Sequence, residues 1–116
     1  MLRIAERDLR AAKALSAPFI DEASWGFQIQ QAVEKALKAW LLLLGEDPPH
    51  THNLTALFSR LADLGAAPEP FLPLEAFTDF AVQLRYDADP EPMNLQRDFW
   101  IQRAEELLAY VGAITA

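Results

Sequence analysis

Cysteine is absent from this 116-residue chain, and positive charge is scarce. Without cysteine the chain can form no disulfide, thiolate nucleophile or zinc–thiolate centre. Ten lysines and arginines stand against seventeen aspartates and glutamates, so the formal net charge is −7. This net negative charge argues against a protein that binds nucleic acid over a wide basic face. It is compatible with a local basic pocket or with a basic protein partner.

Glycine and long apolar runs are also scarce. The four glycines are isolated from one another, which excludes a glycine-rich phosphate loop. The apolar run around residues 37–44 is far shorter than the roughly 20 residues that cross a bilayer. The N-terminus shows no basic region followed by an apolar core. We therefore expect a soluble, cytoplasmic protein, folded as one domain over residues 1–116.

Hydrophobic residues make up 52% of the chain, and their spacing predicts four or five helices and no strand. Asp21 or Ser24 can cap the second helix, and Thr51 or Asn53 the third. Short loops between amphipathic helices are typical of an antiparallel up-and-down bundle. The predicted helices span about residues 2–15, 25–44, 54–64, 74–84 and 94–114.

The second helix carries a narrow polar stripe on an otherwise apolar surface. Such a helix is expected to be central, covered by other helices or by a second subunit. Phe27 and Leu42 bracket the stripe, which suits a groove or an interface. A solvated face is the alternative, since Glu34 and Lys38 are spaced for a helical ion pair. The stripe consists of Gln28, Gln31, Glu34, Lys35 and Lys38.

The two histidines, His50 and His52, lie in one loop. With Glu46 or Asp47 they could bind a metal, but two loop histidines without a preordered third ligand make a weak site. A helix-capping loop is the favoured interpretation, and we predict neither a metal nor a cofactor.

Arg85 and Tyr86 precede an acidic loop that contains Asp87, Asp89 and Glu91. Arg85 fits a helix C-terminus, where the dipole favours a cation, or the edge of a cleft. The acidic residues lack the remaining ligands and the turn glycine of an EF-hand. We therefore expect a solvated loop rather than a cation site.

Several segments in register resemble the HEPN domain family (higher eukaryote and prokaryote nucleotide-binding) in its prokaryotic branch. The PHTHNL loop is similar to the family's Pro-x-Thr-His-Asp-Leu loop, and the Arg-Tyr step is similar to its Arg-Tyr-Pro-like step. The matching residues are Asp8, Leu9, Ala11 and Ala12, then residues 30–39, 49–54 and 85–87.

This resemblance implies a helical bundle that commonly dimerises and is often encoded beside a minimal nucleotidyltransferase in a toxin–antitoxin-like pair. Catalytic members are metal-independent ribonucleases whose motif is an arginine and a later histidine separated by four to six residues. Here the corresponding positions hold Pro90, Glu91 and Pro92. Without this histidine the usual acid–base group is missing. A partner of this kind can modify a tyrosine near the motif, for which Tyr86 is a weak candidate.

The leading hypothesis is a non-catalytic HEPN homodimer that pairs with a nucleotidyltransferase and has a polar groove for a nucleotide or partner segment. The alternative is a ribonuclease with a divergent site, built from Arg85, Tyr86 and His52 and acting on RNA. A third is a small nucleotide-binding module. Three tryptophans and seven phenylalanines in so short a chain also favour a shared interface. The expected ligand-binding residues are Gln31, Glu34, Lys35, Lys38, Arg85 and Tyr86.

Overall fold

A computed structural model describes residues 1–17, 19–78 and 96–115. These ranges form a helical bundle and contain no strand, so the predicted all-α fold class is confirmed. Helix α2 contacts every other element and is the central helix. The elements are α1 (Leu2–Ala14), α2 (Glu22–Leu43), α3 (Leu54–Asp63), a 3₁₀ segment (Glu69–Phe77) and α4 (Arg97–Thr115).

Side-chain caps begin α2 and α3, as their sequences predict. Asp21 caps α2, where its carboxylate accepts hydrogen bonds from Ser24 N at 2.6 Å and Ser24 Oγ at 2.7 Å. These bonds lower the pKa of Asp21. Asn53 caps α3 by accepting from Ala56 N at 3.3 Å. The other candidate, Thr51, accepts instead from Asn53 N and so supports the cap.

Glycines end the same two helices with a left-handed residue. Gly45 has φ 79° and Gly65 has φ 85°, a conformation that side chains with a Cβ rarely adopt. Beyond each glycine the next backbone N–H bonds back into the helix, Glu46 to Leu41 and Ala66 to Leu61. These bonds satisfy carbonyls that the end of a helix would leave unpaired.

The start predicted for the fourth helix, at residue 74, is wrong. Residues Glu69–Phe77 form a 3₁₀ helix instead. Pro70 and Pro73 lie within this segment, and because proline has no N–H it cannot donate the bonds of a regular α-helix. The rest of the predicted helix lies almost entirely outside the described residues.

The core is built around α2, which is buried along most of its length from Ala23 to Leu41. In α4, Ala104, Leu107 and Val111 face this core and are buried, whereas Ile114 is exposed. The described ranges contain no helix long and apolar enough to cross a membrane.

Arg97, the first residue of α4, holds the connection between α1 and α2 in place. Its guanidinium donates to the carbonyls of Leu15, Ala17 and Ile20 at 2.9, 2.8 and 2.6 Å. It also lies 5.5 Å from the ring centroid of Trp25, in cation–π geometry. The connection between α1 and α2 is therefore fixed by a residue from the other end of the chain.

Candidate functional site

The buried carboxylate of Glu34 organises the polar side of α2. Its side chain is 1% exposed, and each of its two carboxylate oxygens has two hydrogen-bond partners. Oε1 accepts from Gln30 Nε2 at 3.1 Å and contacts His52 Nδ1 at 2.8 Å. Oε2 accepts from Lys35 Nζ at 3.0 Å and Lys38 Nζ at 3.2 Å. We call these residues, together with Gln31, the α2 polar network.

Helical spacing accounts for most of this network. Gln30, Glu34 and Lys38 are four residues apart, so their side chains lie above one another on one face of α2. His52 arrives from the α2–α3 loop. Its backbone carbonyl also accepts a hydrogen bond from Gln30 Nε2 at 2.9 Å. The loop is therefore held to α2 through both the backbone and the ring of His52.

The network keeps Glu34 ionised despite its burial. Burial disfavours the charged form and by itself would raise the pKa. Hydrogen bonds from His52, Lys35 and Gln30, together with the Lys35 charge, outweigh that effect and lower the pKa of Glu34 to about 2. One negative charge is thus matched against the two positive charges of Lys35 and Lys38. The patch is locally positive in a chain whose net charge is −7.

His52 has a fixed orientation but remains accessible, since its side chain is 62% exposed. An ionised carboxylate can only accept a hydrogen bond, so the Nδ1 that contacts Glu34 must carry the proton. Nε2 forms no hydrogen bond with any residue that the structure describes. The carboxylate therefore fixes the tautomer and leaves the outer nitrogen available.

Gln31 extends the network along the helix. Its Nε2 donates to Gln30 Oε1 at 2.6 Å, and its Oε1 accepts from Lys35 Nζ at 3.1 Å. Lys35 thus uses two acceptors, and its side chain is 19% exposed against 11% for Lys38. Lys35 is the more accessible of the two cations.

A family model for the HEPN domain matches residues 1–114. The chain belongs to the HEPN domain family. Neither a curated protein nor a solved structure shows significant similarity to it. The resemblance inferred from the sequence is therefore confirmed over nearly the whole chain.

The structure brings together four of the residues that the sequence proposed for ligand binding in this HEPN domain: Gln31, Glu34, Lys35 and Lys38. His52, proposed only for a ribonuclease, joins them. Gln28 is half-buried and contributes no hydrogen bond to the network. Arg85 and Tyr86, with the acidic loop that follows them, lie outside the described residues.

Sequence reasoning missed Gln30, which is fully buried and yet bonds Glu34, Gln31 and the loop. Its position four residues before Glu34 was the available signal. The contact between Glu34 and His52 had no comparable signal, because the two residues are 18 positions apart.

The other side chains considered for a metal site do not converge in this HEPN domain. Within the described ranges no three His, Asp or Glu side chains form a group that could hold a metal ion. Glu46 instead forms an ion pair with Arg60 of α3, and His50 is exposed.

An open cleft lies between the first turn of α3 and the 3₁₀ segment. Its volume is about 640 Å³, and Asn53, Thr55, Glu75 and Thr78 supply its polar lining. The Thr78 hydroxyl accepts a hydrogen bond from Leu54 N at 3.1 Å and joins the two walls. The cleft begins at the residue that follows His52.

Three consecutive leucines at the C-terminal end of α2 are exposed. They are Leu42, Leu43 and Leu44, although a residue of this kind usually packs into a core. The sequence predicted that this end of the helix would be covered by other helices or by a second subunit. The described part of one chain leaves it uncovered.

Proposed function

We propose that this HEPN protein is a non-catalytic, dimerising partner of a nucleotidyltransferase-like protein in a toxin–antitoxin-like pair, with the α2 polar network as its nucleotide contact. Family membership supports the pairing and the dimer. The sequence after Arg85 supports the absence of catalysis, because it contains no histidine.

The chemistry of the network is the observation that carries this proposal. Both oxygens of Glu34 are occupied by donors, so this carboxylate is not free to take a proton from a substrate. Its effect is to hold Lys35, Lys38 and His52 in fixed positions around one buried charge. A preassembled positive patch on an acidic protein suits binding of an anionic group.

The exposed leucines at the end of α2 support the homodimer. Contiguous apolar surface on a small domain is typical of an interaction site, and symmetric pairing of identical chains is the commonest form of assembly. A second copy is therefore the occupant that we propose for Leu42, Leu43 and Leu44.

Co-expression tests the pairing directly. The tagged chain is produced together with the nucleotidyltransferase-like protein encoded beside it, and the complex is followed through affinity and size-exclusion steps. We expect the two proteins to elute together in a fixed ratio. Separate elution, or the absence of such a neighbouring gene, would count against the proposal.

A divergent ribonuclease is the second candidate, and the Glu34–His52 contact favours it specifically. A carboxylate on Nδ1 orients an imidazole for proton transfer at Nε2. In this hypothesis His52 acts with Arg85 and Tyr86. Arg85→Ala and His52→Ala should each then abolish RNA cleavage or growth toxicity. A wild-type chain without either activity would exclude this candidate.

A further inference from the structure

We infer that the outer face of α1 is a docking surface for an acidic amphipathic helix of a partner protein. This inference goes beyond the proposed function, which uses α2 and assigns nothing to α1. Four cations, spaced four, three and three residues apart, form one exposed stripe on α1. At 1.5 Å per residue the stripe is about 15 Å long. We call it the α1 basic stripe, and it consists of Arg3, Arg7, Arg10 and Lys13.

The α1 basic stripe concentrates positive charge on an acidic molecule. Helix α1 holds four of the ten lysines and arginines of the chain, against two carboxylates, Glu6 and Asp8. It therefore has a surplus of two positive charges in a chain whose net charge is −7. Such an uneven distribution attracts a partner of opposite charge to one face of the molecule.

The stability of α1 does not explain this placement of positive charge. The first turn of a helix favours acidic side chains, because the helix dipole is positive at that end. In α1 the first turn contains no acidic residue, no side chain caps the helix, and Arg3 is the second residue. An approaching carboxylate would therefore be attracted by both the arginine and the dipole.

The cations of the stripe are available to a partner. The side chains of Arg3 and Arg10 form no ion pair or hydrogen bond with any residue that the structure describes. Arg7 and Lys13 each have one carboxylate contact, at 3.4 Å, and their side chains are 69% and 49% exposed. Exposed pairs of this kind contribute little to stability, so the carboxylates of a partner can replace them.

A groove beside the stripe, between α1 and α4, offers an apolar contact. Its volume is about 270 Å³, and the buried side chains of Leu9 and Leu108 line it together with Arg10 and Lys13. A typical small-molecule site is larger, at roughly 300 to 1,000 Å³. The groove suits an apolar anchor from a helix that lies along α1 and places its acidic residues against the arginines.

Carboxylates around the groove favour a protein over a nucleic acid. Glu6 is exposed on the same face as Arg3 and Arg10, and Glu105 of α4 lines the groove as well. A nucleic acid carries a phosphate at every nucleotide and would bring negative charge to both carboxylates. A protein helix can place glutamates opposite the arginines and neutral residues opposite Glu6.

The packing of α1 argues against a membrane as the partner. An amphipathic helix that binds a bilayer inserts its apolar face among the lipids. In α1 that face consists of Ala5, Leu9 and Ala12, and all three are buried in the core of the bundle. Helix α1 therefore presents its charged face to a partner while its apolar face stays packed.

Fluorescence anisotropy of the full chain with labelled peptides tests this surface. The probe is an acidic amphipathic helix of about 20 residues, because shorter helices are marginal in water. Its glutamates recur at helical spacing beside a row of leucines. A shuffled peptide of the same composition, with glutamates on all faces, is the control. We expect the probe to bind at least about tenfold more tightly than the control, and more weakly as salt screens the charges. Equal affinity of the two peptides, or no binding of either, would overturn the inference.

Arg10→Glu tests the stripe itself, because Arg10 lines the groove and its side chain has no partner in the described ranges. Replacing an attractive contact by a repulsive one should weaken binding of the probe by about tenfold or more. Arg3→Glu, near the other end of the stripe, should weaken it in the same direction. Both side chains are exposed, so the helical spectrum of each variant should match that of the wild type.

Arg103→Glu is the matched control for charge reversal. Arg103 is a partly exposed arginine of α4 that pairs with Glu106. It is two residues from Glu105, which contacts α1, and residues two apart lie on different faces of a helix. This variant should bind the probe as the wild type does. Equal weakening in Arg103→Glu and Arg10→Glu, or unchanged binding in Arg10→Glu, would contradict the surface.

The other occupants are tested with single-stranded RNA of about 12 nucleotides and with vesicles that contain phosphatidylserine. We expect both to bind the full chain more weakly than the acidic peptide does. Tighter binding of either one, lost in Arg10→Glu, would assign the stripe to a partner that carries phosphate and would overturn the inference.

Discussion

Glu34 is a charged residue whose surroundings leave it no vacant lone-pair direction. Four donors contact its two oxygens within 3.2 Å. Breaking a buried charge pair is far more damaging than losing an exposed one, because the remaining charge is left without a partner. The residue therefore contributes to stability and to the placement of His52 together.

Glu34→Gln is expected to destabilise the fold by about 3 kcal/mol. The amide removes the negative charge and leaves Lys35 and Lys38 facing each other at a mostly buried position. Urea unfolding at pH 7 measures the change. Glu46→Gln is the control, since it breaks a more exposed pair with Arg60 and should cost about 1 kcal/mol or less. Equal effects of the two substitutions would contradict the central role of Glu34.

The pH dependence of stability has a definite sign at Glu34. Its pKa is about 2 in the folded chain and 4.5 for the free group, so the folded state binds fewer protons in this range. The contribution is complete above about pH 4.5 and is lost as the pH falls toward 2. The stability advantage of the wild type over Glu34→Gln should shrink over that window. Parallel curves for the two proteins would contradict the shifted pKa.

The sequence could predict contacts between residues that are close along the chain, but not contacts between residues that are far apart. The stripe of Gln31, Glu34, Lys35 and Lys38 follows from helical spacing within α2, a local property. The return of His52 to Glu34 depends on how the α2–α3 loop folds back, which no periodic pattern encodes. Gln30 was missed because a polar residue on an apolar face does not reveal which partner satisfies it.

At the scale of elements, local signals predicted the helix limits well where caps and glycines mark them. Asp21, Asn53, Gly45 and Gly65 all lie at the expected ends. The segment that begins at Glu69 was harder. Its apolar spacing resembles a helix, but Pro70 and Pro73 remove donors and favour the tighter 3₁₀ form. In this segment the missing N–H groups of the prolines, rather than the spacing of the apolar residues, determined the type of helix.

The cap of the central helix gives a prediction at this scale. Asp21→Ala should destabilise the protein by about 1 kcal/mol, the usual effect of losing an N-cap side chain. Thermal or urea unfolding measures it. Asp63→Ala is a suitable control, because Asp63 ends α3, where a negative charge gains nothing from the helix dipole. If Asp63→Ala destabilises as much, the cap at Asp21 is not the cause.

At the scale of the whole molecule, the uncovered leucines of α2 determine the expected assembly. We predict that the wild type is a dimer by light scattering at micromolar concentration. The double substitution Leu42→Glu and Leu43→Glu should give a monomer with an unchanged helical spectrum, because both side chains are already exposed.

Ile4→Glu provides the comparison for this prediction, since Ile4 is an exposed apolar residue on α1. That variant should remain a dimer. A monomeric wild type would refute the assembly, and dissociation of Ile4→Glu alone would move the interface to α1.

The hydrogen bonds from Arg97 to the α1–α2 connection affect when that connection can fold during protein synthesis. Helices α1 and α2 leave the ribosome first, but the carbonyls of Leu15, Ala17 and Ile20 receive their donor only after about eighty more residues have been added. Contacts between such distant parts of a chain slow folding. The connection between α1 and α2 therefore cannot reach its final arrangement until Arg97 has been synthesised and has left the ribosome.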